Sequence, residues 1–352
     1  MQKDKFIQRR KYRKVSKTAL AIALCLVIFI TNTGAISAAD TPSSWATDEV
    51  NAAISEGFVP QNLQSNYTQA ITRAEFAELA VALYENVLKG EITGRKTFVD
   101  TNDVNVQKAA FIGVVAGVGN DRFAPDDTLT REQAAVMLSR LANALSKPLK
   151  RNETIFYDNN LISDWAIDSV RQVAACGIMQ GIELRWVKLE SFYEFSPKTP
   201  YTREQSIVTI MRLVYVVRLT EESVYDAIMA MQSEYPEGMK WTDEDRYTSK
   251  GRDTDGATRI GGGCVALAFI LSDAAFGDLP FQDDHRELEK LRVGDILHGV
   301  NYIGHCVIVL KIDGDTITVA EGNPGIYWGT TYSLDKLKQR ERVYIETRWP
   351  TE

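Results

Sequence analysis

The sequence predicts a multidomain chain: an all-α bundle of three helical repeats, then an α+β domain with one cysteine-bearing helix against an antiparallel sheet. Two observations predict this. A Thr-Arg motif recurs three times between residues 71 and 205, each time opening a run with apolar residues at i, i+3, i+4 and i+7. Beyond residue 218 the repeat stops, and a glycine-led apolar run is followed by β-rich segments around Asp313-Gly314.

The first 39 residues stand apart from both domains. Residues 1–17 hold eight basic residues and one acid, and residues 18–39 hold no charge. A 12-residue apolar run, Ala19 to Ile30, leads to small residues Ser37 and Ala39 at the spacing of a signal-peptidase site. This predicts a secretory signal peptide over 1–39, with the mature chain starting near Asp40 and no membrane association after cleavage. The competing reading is an uncleaved anchor, for which the run is short against the roughly 20 residues of a spanning helix. Cys25, preceded by Leu24, makes a poor lipoprotein site.

The whole chain has 352 residues, 45% hydrophobic and 25% charged, with a net charge of -7. Without residues 1–39 it keeps 32 basic and 46 acidic residues, a net of -14. That balance excludes nucleic-acid binding through a diffuse basic surface. Cys176, Cys264 and Cys306 remain after the leader, too few for a disulfide framework, and at least one thiol is unpaired within the chain. A metal site from Cys264, His305, Cys306 or His298 lacks ligand spacing, and no cofactor is implied.

The repeats are built around Ile71-Thr72-Arg73-Ala74-Glu75, Leu129-Thr130-Arg131-Glu132-Gln133 and Tyr201-Thr202-Arg203-Glu204-Gln205. Thr caps a helix well, and Glu or Gln three residues on completes a capping box. Gly57, Gly113 and Gly177 sit where a preceding helix ends. Phe98-Val99-Asp100 and Phe156-Tyr157-Asp158 open repeats two and three. Phe123-Ala124-Pro125 and Phe195-Ser196-Pro197 precede the second and third Thr-Arg motifs. Each unit reads helix, glycine turn, loop, capped helix.

This pattern resembles the S-layer homology (SLH) domain in three copies, over residues 41–90, 95–147 and 152–217. The resemblance implies a three-repeat bundle that binds a secondary cell wall polysaccharide, often pyruvylated, and locates the protein in the cell wall or S-layer. It implies that Arg73, Arg131 and Arg203 line the ligand grooves, and a guanidinium fork does suit an acidic ketal. The alternative is that each arginine ties one repeat to the next. Trp45 and Trp165 match the family's aromatic near the first helix, for sugar stacking or core packing. Asp100 and Asp158 complete the implied binding set. Repeat one lacks the Phe-x-Asp opening. Repeat two is shorter between Phe98 and Gly113 than repeat three between Phe156 and Gly177, which predicts a truncated first helix without a Trp. Repeat three carries extra residues, including Trp186, before Thr202.

In the C-terminal domain, 220–352, residues 220–232 predict a helix capped by Thr220. A polar stretch from Glu234 to Gly256 shows no clear periodicity. Gly261-Gly262-Gly263 then precede an apolar helix starting at or just before Cys264, which places the thiol at the positive end of the helix dipole. Strands are predicted at 293–297, 304–311, 315–320 and 342–348, with Asp313-Gly314 as a hairpin turn.

Cysteine nucleophiles need an imidazole to take the thiol proton and a polar group to fix the ring. His305 opens one hairpin strand, and Glu321 and Asn323 end the other. The stretches GGGCVALAF, VGDILHG, GHCVIVLK and ITVAEGN resemble the CHAP group of papain-like amidohydrolases and peptidases, related to NlpC/P60. The resemblance implies Cys264 as nucleophile, His305 as base, and Glu321 and Asn323 as orienting groups. It further implies amide hydrolysis in peptidoglycan. The glycines before Cys264 depart from the family pattern and leave the oxyanion donor unassigned beyond the Cys264 N–H.

Register sharpens this expectation. A two-residue loop at Asp313-Gly314 would put Glu321 on the face opposite His305. A three-residue loop, or an equivalent bulge, pairs Val307 with Glu321 and His305 with Asn323, and is therefore expected. Cys306 should face away from His305 as a core thiol. Cys176 is expected to pack in repeat three, His285 to lie on a solvated face, and His298 in a strand or loop. The sequence thus predicts a secreted, wall-anchored cysteine amidase or endopeptidase. The alternative is a degenerate papain-like module that binds without turnover.

Overall fold

A computed structural model describes residues 41–151, 154–184, 192–253, 257–282, 284–301 and 304–350. The expected signal peptide with Cys25, and Trp186, lie outside the described residues.

The N-terminal half is built from three helix pairs that are consecutive in the chain. They are α1 (Thr47–Ser55) with α2 (Arg73–Leu88), α3 (Val104–Phe111) with α4 (Arg131–Ala144), and α5 (Ile167–Ala175) with α6 (Arg203–Arg218). The packing runs between pairs, α1 on α6, α2 on α3 and α4 on α5. A short hairpin, β1 (Ile182–Leu184) and β2 (Phe192–Glu194), precedes α6. Thr72, Thr130 and Thr202 each accept the N3 backbone N–H, while Glu75, Gln133 and Gln205 reach back to the cap N–H. The first helix of each pair ends in one geometry. Gly57, Gly113 and Gly177 take φ of 78°, 80° and 66°, and the following N–H bonds the carbonyl five residues back. Only glycine enters this left-handed position without cost.

The pairs close into a ring. The N–H groups of Arg73 and Ala74 donate to Asp127 and Pro125 carbonyls in the second repeat. Those of Arg131 and Glu132 donate to Thr199 and Pro197 in the third, and those of Arg203 and Glu204 return to Gln69 and Tyr67 in the first. Each helix start, with its unpaired donors, is thus satisfied by the next repeat's loop. Helix α3 has 8 residues against 9 in α1 and α5. The shortening of repeat two therefore falls mainly in the lead-in, where repeat three has a 3-10 turn at Asn159–Leu161.

The C-terminal half begins with α7 (Glu221–Ala230), capped by Thr220. A hairpin of β3 (Arg246–Arg252) and β4 (Thr258–Gly262) leads directly into α8 (Cys264–Phe276). There follow β5 (Ile296–His298), β6 (Cys306–Asp313), β7 (Thr316–Glu321), β8 (Tyr327–Ser333), α9 (Leu334–Lys338) and β9 (Tyr344–Glu346). These five strands form one antiparallel sheet in the order β8-β7-β6-β5-β9. Strand β3 lies in the stretch whose sequence shows no periodicity.

Helix α8 packs on β6 and the β3–β4 hairpin, and α7 packs on α8. Alternate residues of β6 divide the sheet. Cys306, Ile308 and Leu310 join the helix-facing core, whereas Val307 and Val309 join a second cluster with Leu334 and Leu337 of α9. The larger core contains residues from Ala46 to Trp349 and so continues through both halves. The last described residues bind the repeats: the Lys150 N–H and the Cys176 thiol both donate to the Pro350 carbonyl, the latter at 3.0 Å. Among the described residues no helix is long and apolar enough to cross a membrane.

Candidate active site

Cys264 is the first residue of α8, where the first-turn N–H groups have no intrahelical acceptors. Gly263 before it has φ 56° and ψ -127°. A side chain there would meet Asp243 Oδ1 at 2.5 Å, so only glycine lets this loop close on the helix start. The Trp241 indole N–H donates to the Gly263 carbonyl at 2.7 Å and fixes the same turn. Local sequence thus sets the thiol at the positive end of a buried helix.

The hairpin delivers the partners. Val307 pairs with Glu321 and Val309 with Val319, then the register slips by one at Leu310, and Asp313 pairs with Thr316. The turn is a two-residue Gly314-Asp315 loop. A bulge restores the phase that puts Glu321 on the Val307 face. His305 Nε2 lies 2.7 Å from Glu321 Oε2, and the Tyr332 hydroxyl of β8 donates to the same oxygen at 2.9 Å. With Nε2 engaged by Glu321, Nδ1 is the ring nitrogen left for Cys264.

Asn323 occupies a different place from the one expected. Strand β6 starts at Cys306 and β7 ends at Glu321, so the expected His305–Asn323 pair does not form. Asn323 has φ 86° and has left the ladder, and its amide donates to Asp243 Oδ1 at 2.6 Å. It stands beside Gly263 at the mouth of α8. Glu321, with Tyr332 behind it, is the group on the imidazole.

The electrostatics follow from these contacts. Hydrogen bonding from the Cys306 thiol lowers the Cys264 pKa most. Burial opposes this, hydrogen bonding with His305 adds to it, and the result is about 4. Burial works against the His305 charge, but hydrogen bonding with Cys264 and Glu321 outweighs it and raises the pKa to about 9. Burial opposes the Glu321 charge as well, yet the His305 hydrogen bond leaves that carboxyl below its usual range. The arrangement stabilises a thiolate–imidazolium pair. Cys306 is fully buried, as expected of a core thiol, but it is also a partner of Cys264, and that contact raises its own pKa.

The other histidines have partners of their own, although His298 is the cross-strand neighbour of Cys306. His298, in β5, stacks on Tyr344 at 4.5 Å, with Nε2 3.0 Å from Glu346 Oε2. His285 is half-buried and exchanges two backbone hydrogen bonds with Ile345, so it joins the edge of β9 instead of lying on a solvated face.

In the repeats, Arg73, Arg131 and Arg203 are each 7% exposed. Arg73 donates to the Phe123 and Ala116 carbonyls, Arg131 to Phe195 and Gln180, and Arg203 to the Ser65 carbonyl and the Glu75 carboxylate. Each guanidinium reaches from one repeat into the next, which is the tie and not an open cationic groove. Asp100 accepts the N–H groups of Phe123 and Ala124, and Asp158 those of Phe195 and Ser196. Both carboxylates brace the Phe-x-Pro loops. Trp45 and Trp165 are 53% and 58% exposed, which removes the core-packing reading.

Beside each Trp lies a polar pair that motif reading missed. The Ser43 N–H and hydroxyl donate to Glu204, and those of Ser163 donate to Glu132, to which Lys198 adds a 2.5 Å ion pair. The signal was the shared second position after the Thr cap, Glu in repeats two and three but Ala74 in repeat one. Tyr332, Trp241 and Asp243 were missed for another reason: they lie on segments that carry no motif.

Known proteins resemble part of this chain. An amylopullulanase of Thermoanaerobacterium thermosulfurigenes is 29% identical over 182 residues, 50% of this chain and 9% of that protein. Exoglucanase XynX of Acetivibrio thermocellus is 29% identical over 182 residues, 50% of this chain and 16% of its own. A surface-layer 125 kDa protein of Lysinibacillus sphaericus is 25% identical over 218 residues, 60% and 17% of the two chains. The chain therefore spans less than a fifth of the length of these relatives. Residues 106–135, which contain most of α3 and the start of α4, match the S-layer homology domain, so the chain carries an SLH domain there.

Proposed function

We propose that this protein is exported, held at the cell wall by its helical repeats, and hydrolyses amide bonds of peptidoglycan through Cys264. The observation that carries the reading is a helix-terminal thiol lowered to about 4 beside an imidazole raised to about 9 and backed by Glu321. Cys264 thiolate attacks the amide carbonyl, and the first-turn N–H of α8 receives the developing oxyanion. His305 gives its proton to the leaving amine as the C–N bond breaks, leaving a thioester on Cys264. His305 then takes a proton from water, which attacks the thioester, releases a carboxylate and returns the thiolate. None of these steps uses a cofactor.

Anchoring rests on the ring of three repeats, of which the second matches the SLH family, and on similarity to a surface-layer protein. Secondary cell wall polysaccharide is the proposed partner. Its contacts fall at the exposed Trp45 beside Ser43–Glu204 and the exposed Trp165 beside Ser163–Glu132–Lys198. Arg73, Arg131 and Arg203 shape these grooves by holding the repeats together. Between repeats one and two the Trp and the carboxylate are both missing, because repeat two has no Trp and repeat one has Ala74 at the Glu position, so two grooves bind.

The test is incubation of purified peptidoglycan with wild type and Cys264→Ala. New amino groups and soluble fragments are expected with wild type only. Release by neither protein sinks the hydrolase reading on that substrate and favours a module that binds without turnover.

A further inference from the structure

The second thiol beside the nucleophile has no part in the mechanism above. Cys306 is the first residue of β6 and Cys264 the first residue of α8, and α8 packs on β6. Cys306 is wholly buried in the core, while Cys264 packs against that core and stays partly open to solvent. The Cys306 thiol and backbone N–H both act on the Cys264 sulfur to lower its pKa, where α8 meets β6. Cys176, by contrast, is buried in the repeats and bonded to the Pro350 carbonyl. The sheet thus brings one buried thiol to one partly exposed thiol.

We propose that Cys264 and Cys306 form a peroxide-responsive pair, in which Cys264 is the site of oxidation and Cys306 resolves it to an intramolecular disulfide. The oxidant is a small hydroperoxide. Cys264 thiolate attacks the peroxide; its O–O bond breaks, an S–O bond forms, and the leaving alkoxide or hydroxide takes a proton. Sulfur is oxidised by two electrons to a sulfenic acid, and the peroxide is reduced to alcohol or water. Cys306 then loses its proton and attacks the Cys264 sulfur. The S–S bond forms, the S–O bond breaks, and the departing hydroxide takes the proton to give a second water.

The environments of the two thiols divide these roles. The lowered pKa of Cys264 keeps it reactive toward peroxide, and the raised pKa of Cys306 keeps it protonated until a sulfenic acid appears. Disulfide formation blocks the nucleophile but spares it from irreversible sulfinic and sulfonic acids. Outside the cytoplasmic membrane no glutathione pool would reverse the bond, so reactivation needs an external thiol. As a control on catalysis this rests on the hydrolase reading, whereas the disulfide itself does not.

The experiment treats the full chain with hydrogen peroxide, removes the peroxide, alkylates in denaturant and maps cysteine peptides by mass spectrometry. A Cys264–Cys306 disulfide is expected, with Cys176 still alkylated. Native alkylation of Cys264 should drop at least about 10-fold and recover with dithiothreitol. Cys306→Ala and Cys306→Ser, each checked for folding by circular dichroism, should instead give a dimedone-reactive sulfenic acid at Cys264 that proceeds to sulfinic acid. Wild-type Cys264 going to sulfinic acid with Cys306 still alkylatable would overturn the proposal. So would an equally fast disulfide in denatured protein, because the fold would then contribute nothing. These readouts need no wall substrate. If the disulfide forms but peptidoglycan is never cleaved, the hydrolase reading fails while the thiol pair stands.

Discussion

His305 Nε2 and Glu321 Oε2 lie 2.7 Å apart across the mouth of the β6–β7 hairpin. Glu321 comes within reach only because a bulge at Leu310 shifts the register by one. The Tyr332 hydroxyl on the same carboxylate oxygen fixes it from the neighbouring strand. Glu321→Gln removes the counter-charge but keeps the shape. It should lower the His305 pKa and slow turnover by about 10–1000-fold, with Tyr332→Phe milder. Turnover and the pH dependence of Cys264 alkylation check this together. A Glu321→Gln variant with an unchanged upper pH limb would show that the carboxylate does not hold the imidazolium.

The charged pair also sets a pH window. Cys264 at about 4 is a thiolate above that pH, and His305 at about 9 is an imidazolium below that one. The pair is coupled, so the two values belong to the dyad. Alkylation by iodoacetamide should be flat from about pH 5 to 8 and fall below pH 4 as the thiolate takes a proton. Turnover should fall again above about pH 9, when His305 can no longer protonate the leaving amine. Alkylation that instead rises through pH 8–9, like an ordinary thiol, would contradict the ion pair.

Much of this site was legible in the sequence, and the unread remainder has physical causes. Capping chemistry is local, so the three Thr-Arg helix starts and the start of α8 follow from a few adjacent residues. The Val307–Glu321 phase followed from period-two alternation, although the extra residue turned out to be Leu310 and not the turn. Asn323 was misplaced because alternation holds only while the chain stays extended, and its φ of 86° ends that rule. The arginines were harder. An Arg after a Thr cap reads as exposed charge, and only the closure of the ring shows that carbonyls from the next repeat surround it. Trp241, Asp243 and Tyr332 are long-range partners without local periodicity.

The repeats predict a separation between stability and binding. Arg131 is buried on the Phe195 and Gln180 carbonyls. Arg131→Ala should therefore destabilise the chain by about 2–4 kcal/mol, through acceptors left unpaired and lost packing. Trp45→Ala and Trp165→Ala remove exposed rings and should change stability by about 0.5 kcal/mol or less. Together they should abolish pelleting with isolated cell walls. Denaturant melts and wall pelleting on the same preparations check both halves. Wild-type pelleting by the double tryptophan variant would remove these rings from the binding site.

Asp295 gives a pH-dependent stability of definite sign. It is 1% exposed, and burial raises its pKa to about 7, against about 3.9 in an unfolded chain. Between those values the folded state binds more protons than the unfolded one, so this group lowers stability as pH rises from about 4 to 7 and is constant above. Asp295→Asn keeps an acceptor for the Arg292 N–H without the charge. Relative to wild type it should gain up to about 4 kcal/mol on going from pH 4 to pH 8. Urea melts at the two pH values check this. A wild type that gains stability over the same range relative to the variant would reverse the assignment.

The last prediction concerns how α8 is held at its far end. Arg348 is 1% exposed, pairs with Asp273 at 2.6 Å, and donates to the Gly277 and Leu279 carbonyls. Asp273 also accepts the Ser249 hydroxyl and the Lys250 N–H, so α8, the β3 strand and the C-terminal segment meet at one buried charge pair. Removing one partner leaves a desolvated charge, and Arg348→Ala should cost about 3–5 kcal/mol. Replacing both partners removes that penalty, so Arg348→Met with Asp273→Leu should recover part of the loss even though the pair is gone. Equilibrium unfolding of the single and double variants checks the difference. If the double variant is no more stable than Arg348→Ala, the hydrogen bonds to Gly277, Leu279, Ser249 and Lys250 carry the stability, and the charge pair itself contributes little.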